Sequence, residues 1–411
     1  MADVAVTDRQ TLVLRFADVG VATYASLRVV GEPDSTVTWV VVQGELGSAL
    51  DELATAVPDP REDETREGAL ERALTAGPFA SPATELAMAR TLGARLLAAP
   101  AWQLLTERVA SPRATLFVSP SARLARVPFS ALAVPGDDGF RLIELVDVLM
   151  AAPPNIVNTP RPGERWEDRR DRPPLLVLDP RVPGQRPDSP LGSVLGRPSP
   201  DTRLARHFGE LMSLRPVLPG VPAPVELFRR ADAGRAWLAD QLALAPSRLL
   251  YVGHATAADG DVGHADRAAL HLADDRSLTA SDLMASTVCF PPRVGLLACA
   301  SGGDYQFDEA TGLVAAMILR GAQVVTATLW SLPTAAGYHR FAAAPPDSTP
   351  AQADPMAEAV IAVDQAHREP DAGAAVNRWQ REQMRRWRDG DITASPVYWA
   401  ALVTFAVDGA R

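Results

Sequence analysis

The sequence predicts an α/β protein on a largely parallel sheet with helices on both faces, preceded by a small β-rich N-terminal segment. Three observations carry this. Apolar and polar residues alternate with period two in short runs between Thr11 and Val42. From Asp201 onward, strand-length apolar runs alternate with amphipathic helical stretches at the spacing of βαβ units. Pro, Gly and Asp close most of these runs, as turns between elements do.

Taken in order, Thr11–Phe16, Val21–Val30 and Thr36–Val42 read as three strands, with turns at Gly20 and at Gly31-Glu-Pro-Asp34. A helix is expected over 44–57, then an acidic, Pro-containing linker from Pro58 to Glu67, then helices over 67–75, 82–98 and 100–109. Ala114–Val118 is a strand, and the Pro- and Arg-rich stretch from Pro153 to Pro174 has no apolar period and reads as a loop. Leu175–Leu178 is a buried strand ending at Asp179-Pro180, with a second Pro- and Gly-rich loop over 182–199. Beyond it come helices at 204–214 and 231–244, strands at 248–252, 269–272, 294–298 and 323–328, a capped turn at Thr279–Met284, and helices at 308–320, 353–368 and 373–388. A last strand is expected over Tyr398–Phe405. The chain divides into a β-rich segment with one helix (1–57), a linker with helices (58–110), a first half (111–220) and a second (221–411).

Composition removes several functional classes. Lys and Arg together number 40 and every one is Arg. A lysine-free chain has no Walker A phosphate loop, no Schiff-base lysine and no lysine general base. Arg-favouring codon usage accounts for the bias. A net charge of −10 opposes direct nucleic-acid binding, which needs clustered cations. Met1–Arg15 lacks the basic start and apolar run of a secretory leader, and Arg, Asp or Pro interrupts every run that would span a membrane. With two cysteines, Cys289 and Cys299, a disulfide framework is not expected, and a reducing cytoplasmic setting fits.

Two predicted strands end in reactive side chains, Tyr251-Val-Gly-His254 and Leu296-Leu-Ala-Cys299, each followed by small residues. Ligands of open α/β sheets bind beyond the carboxyl ends of strands, so both positions can face one crevice. A cysteine beside an imidazole can be held as the thiolate that attacks a carbonyl, with the histidine protonating the leaving amine. Burial statistics alone favour a packing role for a strand cysteine, so the pair needs its context.

That context is an ordered set of motifs: Gly253-His-Ala255, Leu270-His-Leu272, Leu278-Thr-Ala-Ser-Asp-Leu283, Pro291–Gly302, Asp308-Glu-Ala-Thr-Gly-Leu313 and Gly321–Trp330, with Leu116–Pro120 and Leu124–Leu132 upstream and Pro396–Ala400 at the end. Over roughly 85–411 the chain resembles the CHAT family of caspase-like cysteine peptidases. The resemblance implies a caspase-like sheet in two related halves, the first non-catalytic, and peptide-bond hydrolysis without a cofactor or metal. It places the general base on His254, the nucleophile on Cys299 and the oxyanion donors on the backbone N–H groups of Ala255 and Cys299. Relatives commonly carry Gly where this chain has Ala255, an acid at Ala300, and an Asp in the Ser331–Thr334 stretch. The resemblance also implies a protein or peptide substrate and a setting of bacterial defence or programmed death, with a separately encoded sensor as a regulatory partner.

Asp304 and Asp308 follow Cys299 closely, with Glu309 beside them. A carboxylate there would select a basic residue at the cleaved position; capping the next helix is the other role open to Asp308 and Glu309. Trp330 suits either a substrate subsite or the core. His264 and His271 could join His254 and a cysteine as metal ligands, but without a close i, i+4 histidine pair no metal is expected. Ser301 lacks the Gly-x-Ser-x-Gly elbow of a hydroxyl nucleophile. Asp282 reads as a helix cap and Cys289 as a packing residue. Arg381, Arg385, Arg386 and Arg388, with Trp379 and Trp387, read as a solvated helix face.

Overall fold

Alternation puts Leu12, Leu14 and Phe16 on one face of the first strand, and all three are buried, whereas Arg15 and Ala17 point to solvent. In a computed structural model, residues 9–61, 63–109, 112–136, 139–186, 189, 191–256, 265–298, 312–342 and 353–407 are described. Their strands are β1 (Thr11–Val19), β2 (Ala22–Val29), β3 (Glu32–Val41), β4 (Thr115–Ser119), β5 (Asp147–Ala151), β6 (Leu175–Leu178), β7 (Arg248–Val252), β8 (Ala255–Thr256), β9 (Ala269–Leu270), β10 (Leu278–Thr279), β11 (Arg293–Leu297), β12 (Val324–Thr328) and β13 (Leu402–Ala406). Ten form one sheet in the order β3-β2-β1-β4-β5-β13-β12-β11-β7-β6, and β8, β9 and β10 form a small antiparallel one.

Eight of the ten strands form two parallel blocks running in opposite directions, and β2 and β3 extend β1 as an antiparallel meander. β1, β4, β5 and β13 are mutually parallel, as are β12, β11, β7 and β6, and the blocks meet at the antiparallel β12–β13 pair. The N-terminal meander joins the first block through β1, which pairs in parallel with β4 from Thr11 opposite Thr115 to Arg15 opposite Ser119. Helices cover both faces, as a buried parallel sheet requires, and the fold is the predicted α/β class.

Between β5 and β13 only two residue pairs are in register. Along the rest of β5 the amide of Asn377, from helix Ala372–Arg388, takes the part a strand would. Its Oδ1 accepts from Val148 N at 2.8 Å, and its Nδ2 donates to Val148 O at 3.1 Å. Gln380 on the same helix donates to the carbonyls of Trp399 and Leu402. On the other block, buried Arg248 donates to Asp364 Oδ1 at 2.7 Å, and His207 and Arg368 bond the second carboxylate oxygen. Burial alone would raise the Asp364 pKa, yet these partners hold it well below the usual carboxylate range.

Four expectations change. The arginine-bearing helix is a solvated face only in part: Arg385 and Arg388 are exposed, but Arg381 is 8% exposed and bonds Asp147 at 2.7 Å, Trp387 is buried, and Arg386 and Arg388 reach Glu358, Asp391 and Glu144. Its 17-residue length packs one stripe on the sheet, and Arg381 falls within that stripe. The 153–174 region holds two single-turn helices, Pro154–Val157 and Trp166–Arg169, and buried Trp166 stacks under the Arg293 guanidinium 4.1 Å from its ring centre. One anchoring aromatic gives no period to detect. Tyr398 and Trp399 lie on a short helix, Pro396–Trp399, started by the Ser395 cap and a proline at its first position, so β13 begins only at Leu402. Cys289 is exposed, in the extended connection before Pro291-Pro292.

Replacing Asn377 with Ala should destabilise the protein by about 2 kcal/mol or more, because it strips both partners from buried Val148. Urea unfolding checks this. A change below about 0.5 kcal/mol would mean that this edge of β5 needs no such support.

Candidate active site

β7 is five consecutive buried residues, and its ladder with β11 runs from Arg248 opposite Arg293 to Val252 opposite Leu297. Gly253 extends it, its N–H donating to Leu297 O at 3.2 Å. A Cβ at Gly253 would stand 2.8 Å from the Tyr251 hydroxyl oxygen and 3.2 Å from Pro180, so any side chain there would have to displace that hydroxyl. The hydroxyl it spares lies 2.9 Å from His254 O and 2.8 Å from His271 O and shares its single proton between these carbonyls. His271 N donates to His254 O at 3.0 Å, and β8 pairs Ala255 with Leu270. The main chain of His254 is thus fixed from three sides.

Its imidazole Nε2 lies 3.1 Å from Gly192 O. A carbonyl oxygen only accepts, so the neutral ring carries its proton on Nε2 and leaves Nδ1 unprotonated. Burial pushes the His254 pKa below the ordinary value of 6.5, with Arg66 and Arg229 adding to the effect and the Gly192 carbonyl and Asp179 opposing it. The His271 pKa is also lowered, first by burial and then by His254, and its Nε2 is 2.6 Å from Thr256 Oγ1. Near neutrality His254 is therefore an uncharged base with its acceptor nitrogen unblocked by Gly192.

Along the chain, Cys299 follows Leu297 by the same two residues that separate His254 from Val252. Ala298, just before it, is buried, and its carbonyl accepts from the Thr328 hydroxyl. Cys299, Ser301, Asp304, Asp308 and Glu309 fall in residues 299–311, and His264 in 257–264, outside the described residues. Ala255 lies in β8. Trp330 takes its packing role: it is 0% exposed, its indole N–H donates to Val397 O at 2.8 Å, and its ring meets Phe79, so no surface is left for a substrate. Asp282 caps helix Ala280–Ala285 in a reciprocal box with Thr279. Among the described residues no histidine, cysteine and carboxylate cluster could hold a metal ion, and no helix is long and apolar enough to cross a membrane.

Sequence reasoning missed Gly192, Tyr251 and Asp179. A carbonyl contribution leaves no side-chain signal; the Asp directly after the 175–178 strand was the one visible hint. It also missed Asp59, whose carboxylate accepts from Ser331 N at 3.0 Å and pairs with Arg126, tying the segment before helix Arg66–Thr75 to the loop after β12.

A profile of the CHAT domain matches residues 86–407. The chain belongs to the CHAT domain family. Among solved structures, this CHAT protein is similar to separase in the Saccharomyces cerevisiae separase–securin complex at 3.0 Å resolution, with 11% identity and a TM-score of 0.46 over 97% of this chain and 30% of that one. The 2.6 Å structure of the same complex gives 10% identity and a TM-score of 0.41 over the same shares. The CHAT chain thus spans about 30% of the length of these separase chains. A search of curated proteins returned no match.

The lowered pKa predicts that His254 titrates with a midpoint below 6.5 in NMR spectra, with His254→Gln identifying its signal. A midpoint at or above that value would contradict the environment described. Tyr251→Phe should cost about 1 to 3 kcal/mol in thermal or urea unfolding, because two carbonyls lose a shared donor.

Proposed function

We propose that this CHAT-domain protein is a caspase-like cysteine endopeptidase in which Cys299 is the nucleophile and His254 the general base. The observation that carries the reading is the Nε2 contact of His254 with Gly192 O, which leaves Nδ1 as the basic nitrogen at the end of β7. The β7–β11 register supports it, since the two residues stand equally far along the chain from a paired position. The Cys299 proton passes to Nδ1, and the thiolate sulfur bonds to the substrate carbonyl carbon. The oxyanion is met by the N–H groups of Ala255 and Cys299, the positions carried over from the family. Collapse breaks the C–N bond as the imidazolium returns its proton to the leaving amine. Water, deprotonated by His254, then hydrolyses the thioester and restores the thiol. The substrate is a protein, cleaved within a regulated-proteolysis or defence system under a separately encoded partner.

A non-catalytic interaction module is the second reading, favoured by Ala255 standing where relatives commonly have Gly. A peptidyl acyloxymethyl ketone separates the two: rapid labelling lost in Cys299→Ala supports the peptidase, and no labelling of wild type supports the module.

Cys299→Ala and His254→Ala should each abolish cleavage, the double variant losing little more than either, while Cys289→Ala stays active. Mass spectrometry of cleaved proteins against Cys299→Ala reads the outcome, and retained turnover in either single variant would sink the dyad. Asp304, Asp308 and Glu309 put three acids and no base in the ten residues after Cys299. Cleavage after a basic residue is therefore expected, weakened in Asp304→Asn or Asp308→Asn. A positional scan preferring Asp would refute it.

A further inference from the structure

Asp179 is the first residue after β6. Leu178 pairs with Val252, and Asp179 N donates to Val252 O at 2.6 Å, so Asp179 stands level with the end of β7. Its φ of 53° is left-handed, a region Asp tolerates better than most residues. The residue is 0% exposed, and a buried carboxylate persists only where donors meet its oxygens.

Four donors do. Ser193 Oγ lies at 2.6 Å, Val194 N at 3.2 Å, Leu195 N at 3.4 Å and Arg229 Nη1 at 3.4 Å. Three of them are consecutive residues that directly follow Gly192, and the fourth, Arg229 Nη1, also donates to Gly192 O at 3.0 Å. Gly192 O is the atom that His254 Nε2 meets. The 182–199 segment is rich in Pro and Gly, its described residues lie outside helices and strands, and the carboxylate ties 193–195 to the end of β6. Among the described residues, the charges that act on His254 are Asp179 at the end of β6, Arg229, and Arg66 at the start of helix Arg66–Thr75, with His271 as a neighbouring imidazole.

We infer that Asp179 is a positioning residue for His254: its carboxylate holds residues 192–195 so that the Gly192 carbonyl fixes the imidazole tautomer, and its charge favours the imidazolium that forms during turnover. The inference rests on the general-base role proposed for His254. It parallels the buried aspartate that orients the histidine of serine proteases, but works through a backbone carbonyl instead of touching the ring.

The test uses NMR of the ¹⁵N-labelled full chain in a Cys299→Ala background, where His254 titrates without a thiol partner. With Asp179 intact, the Nε2–H tautomer should dominate. In Asp179→Asn the tautomers should mix and the midpoint should fall, since a negative charge is removed. In the active enzyme the same variant should lower kcat about 10- to 100-fold with KM within about twofold. Ser193→Ala takes one donor from the cluster without changing charge; it should shift the tautomer in the same direction by less and serves if Asp179→Asn does not fold. An unchanged tautomer and midpoint in a folded Asp179→Asn, or an unchanged tautomer in Ser193→Ala where Asp179→Asn does not fold, would overturn the inference even if activity were lost. Full activity in His254→Ala alongside a shifted imidazole in Asp179→Asn would instead sink the general-base role and leave the positioning standing.

Discussion

Three parallel strands that end level with one another are the constraint on which the site depends. Leu178, Val252 and Leu297 are side by side in the ladders of β6, β7 and β11. Up to those residues each strand is wholly apolar apart from Tyr251 and the two arginines that start β7 and β11, because both faces of the sheet are covered. Polar groups can emerge only past that line. There the chain supplies Asp179, Gly253-His254, and Ala298 followed in sequence by Cys299. Register thus does what a long loop would do badly: it sets the spacing of Asp179 and His254 by backbone hydrogen bonds.

The remainder of the sheet acts as a counterweight. Since the blocks run in opposite directions, the strand ends of β1, β4, β5 and β13 leave from the rim opposite that of β6, β7, β11 and β12. Within the first block the β5–β13 pairing is short, and side-chain amides make up the difference: Asn377 on Val148, Gln380 on Trp399 and Leu402. Buried charge is confined to places where several partners converge, as at Asp364 with Arg248, His207 and Arg368.

Much of this was legible beforehand because it is written in period and punctuation. The strands over Leu175–Leu178 and Arg248–Val252 are continuous apolar runs between breakers, and helix Ala372–Arg388 has a long amphipathic stripe. His254 was visible because it ends such a run. What stayed hidden depends on partners distant in sequence. Arg381 looks like any surface arginine until Asp147, 234 positions away, is brought beside it. Trp166 gives no pattern of its own and is fixed by Arg293. Gly192 acts through its backbone, which composition cannot reveal.

The parallel pairing of β1 with β4 bears on what counts as a unit of this protein. The family match begins at residue 86, inside helix Pro82–Leu96, while β1, β2, β3 and helix Gln43–Ala56 precede it. A fragment cut at that boundary would open the β4 edge to other chains and uncover apolar surface around Leu116 and Val118. It would also take away Asp59, and with it the acceptor for Ser331 N on the loop after β12. The span that homology recognises is therefore smaller than the span that folds, and an expression fragment trimmed to the former would be an aggregation-prone piece of a larger sheet.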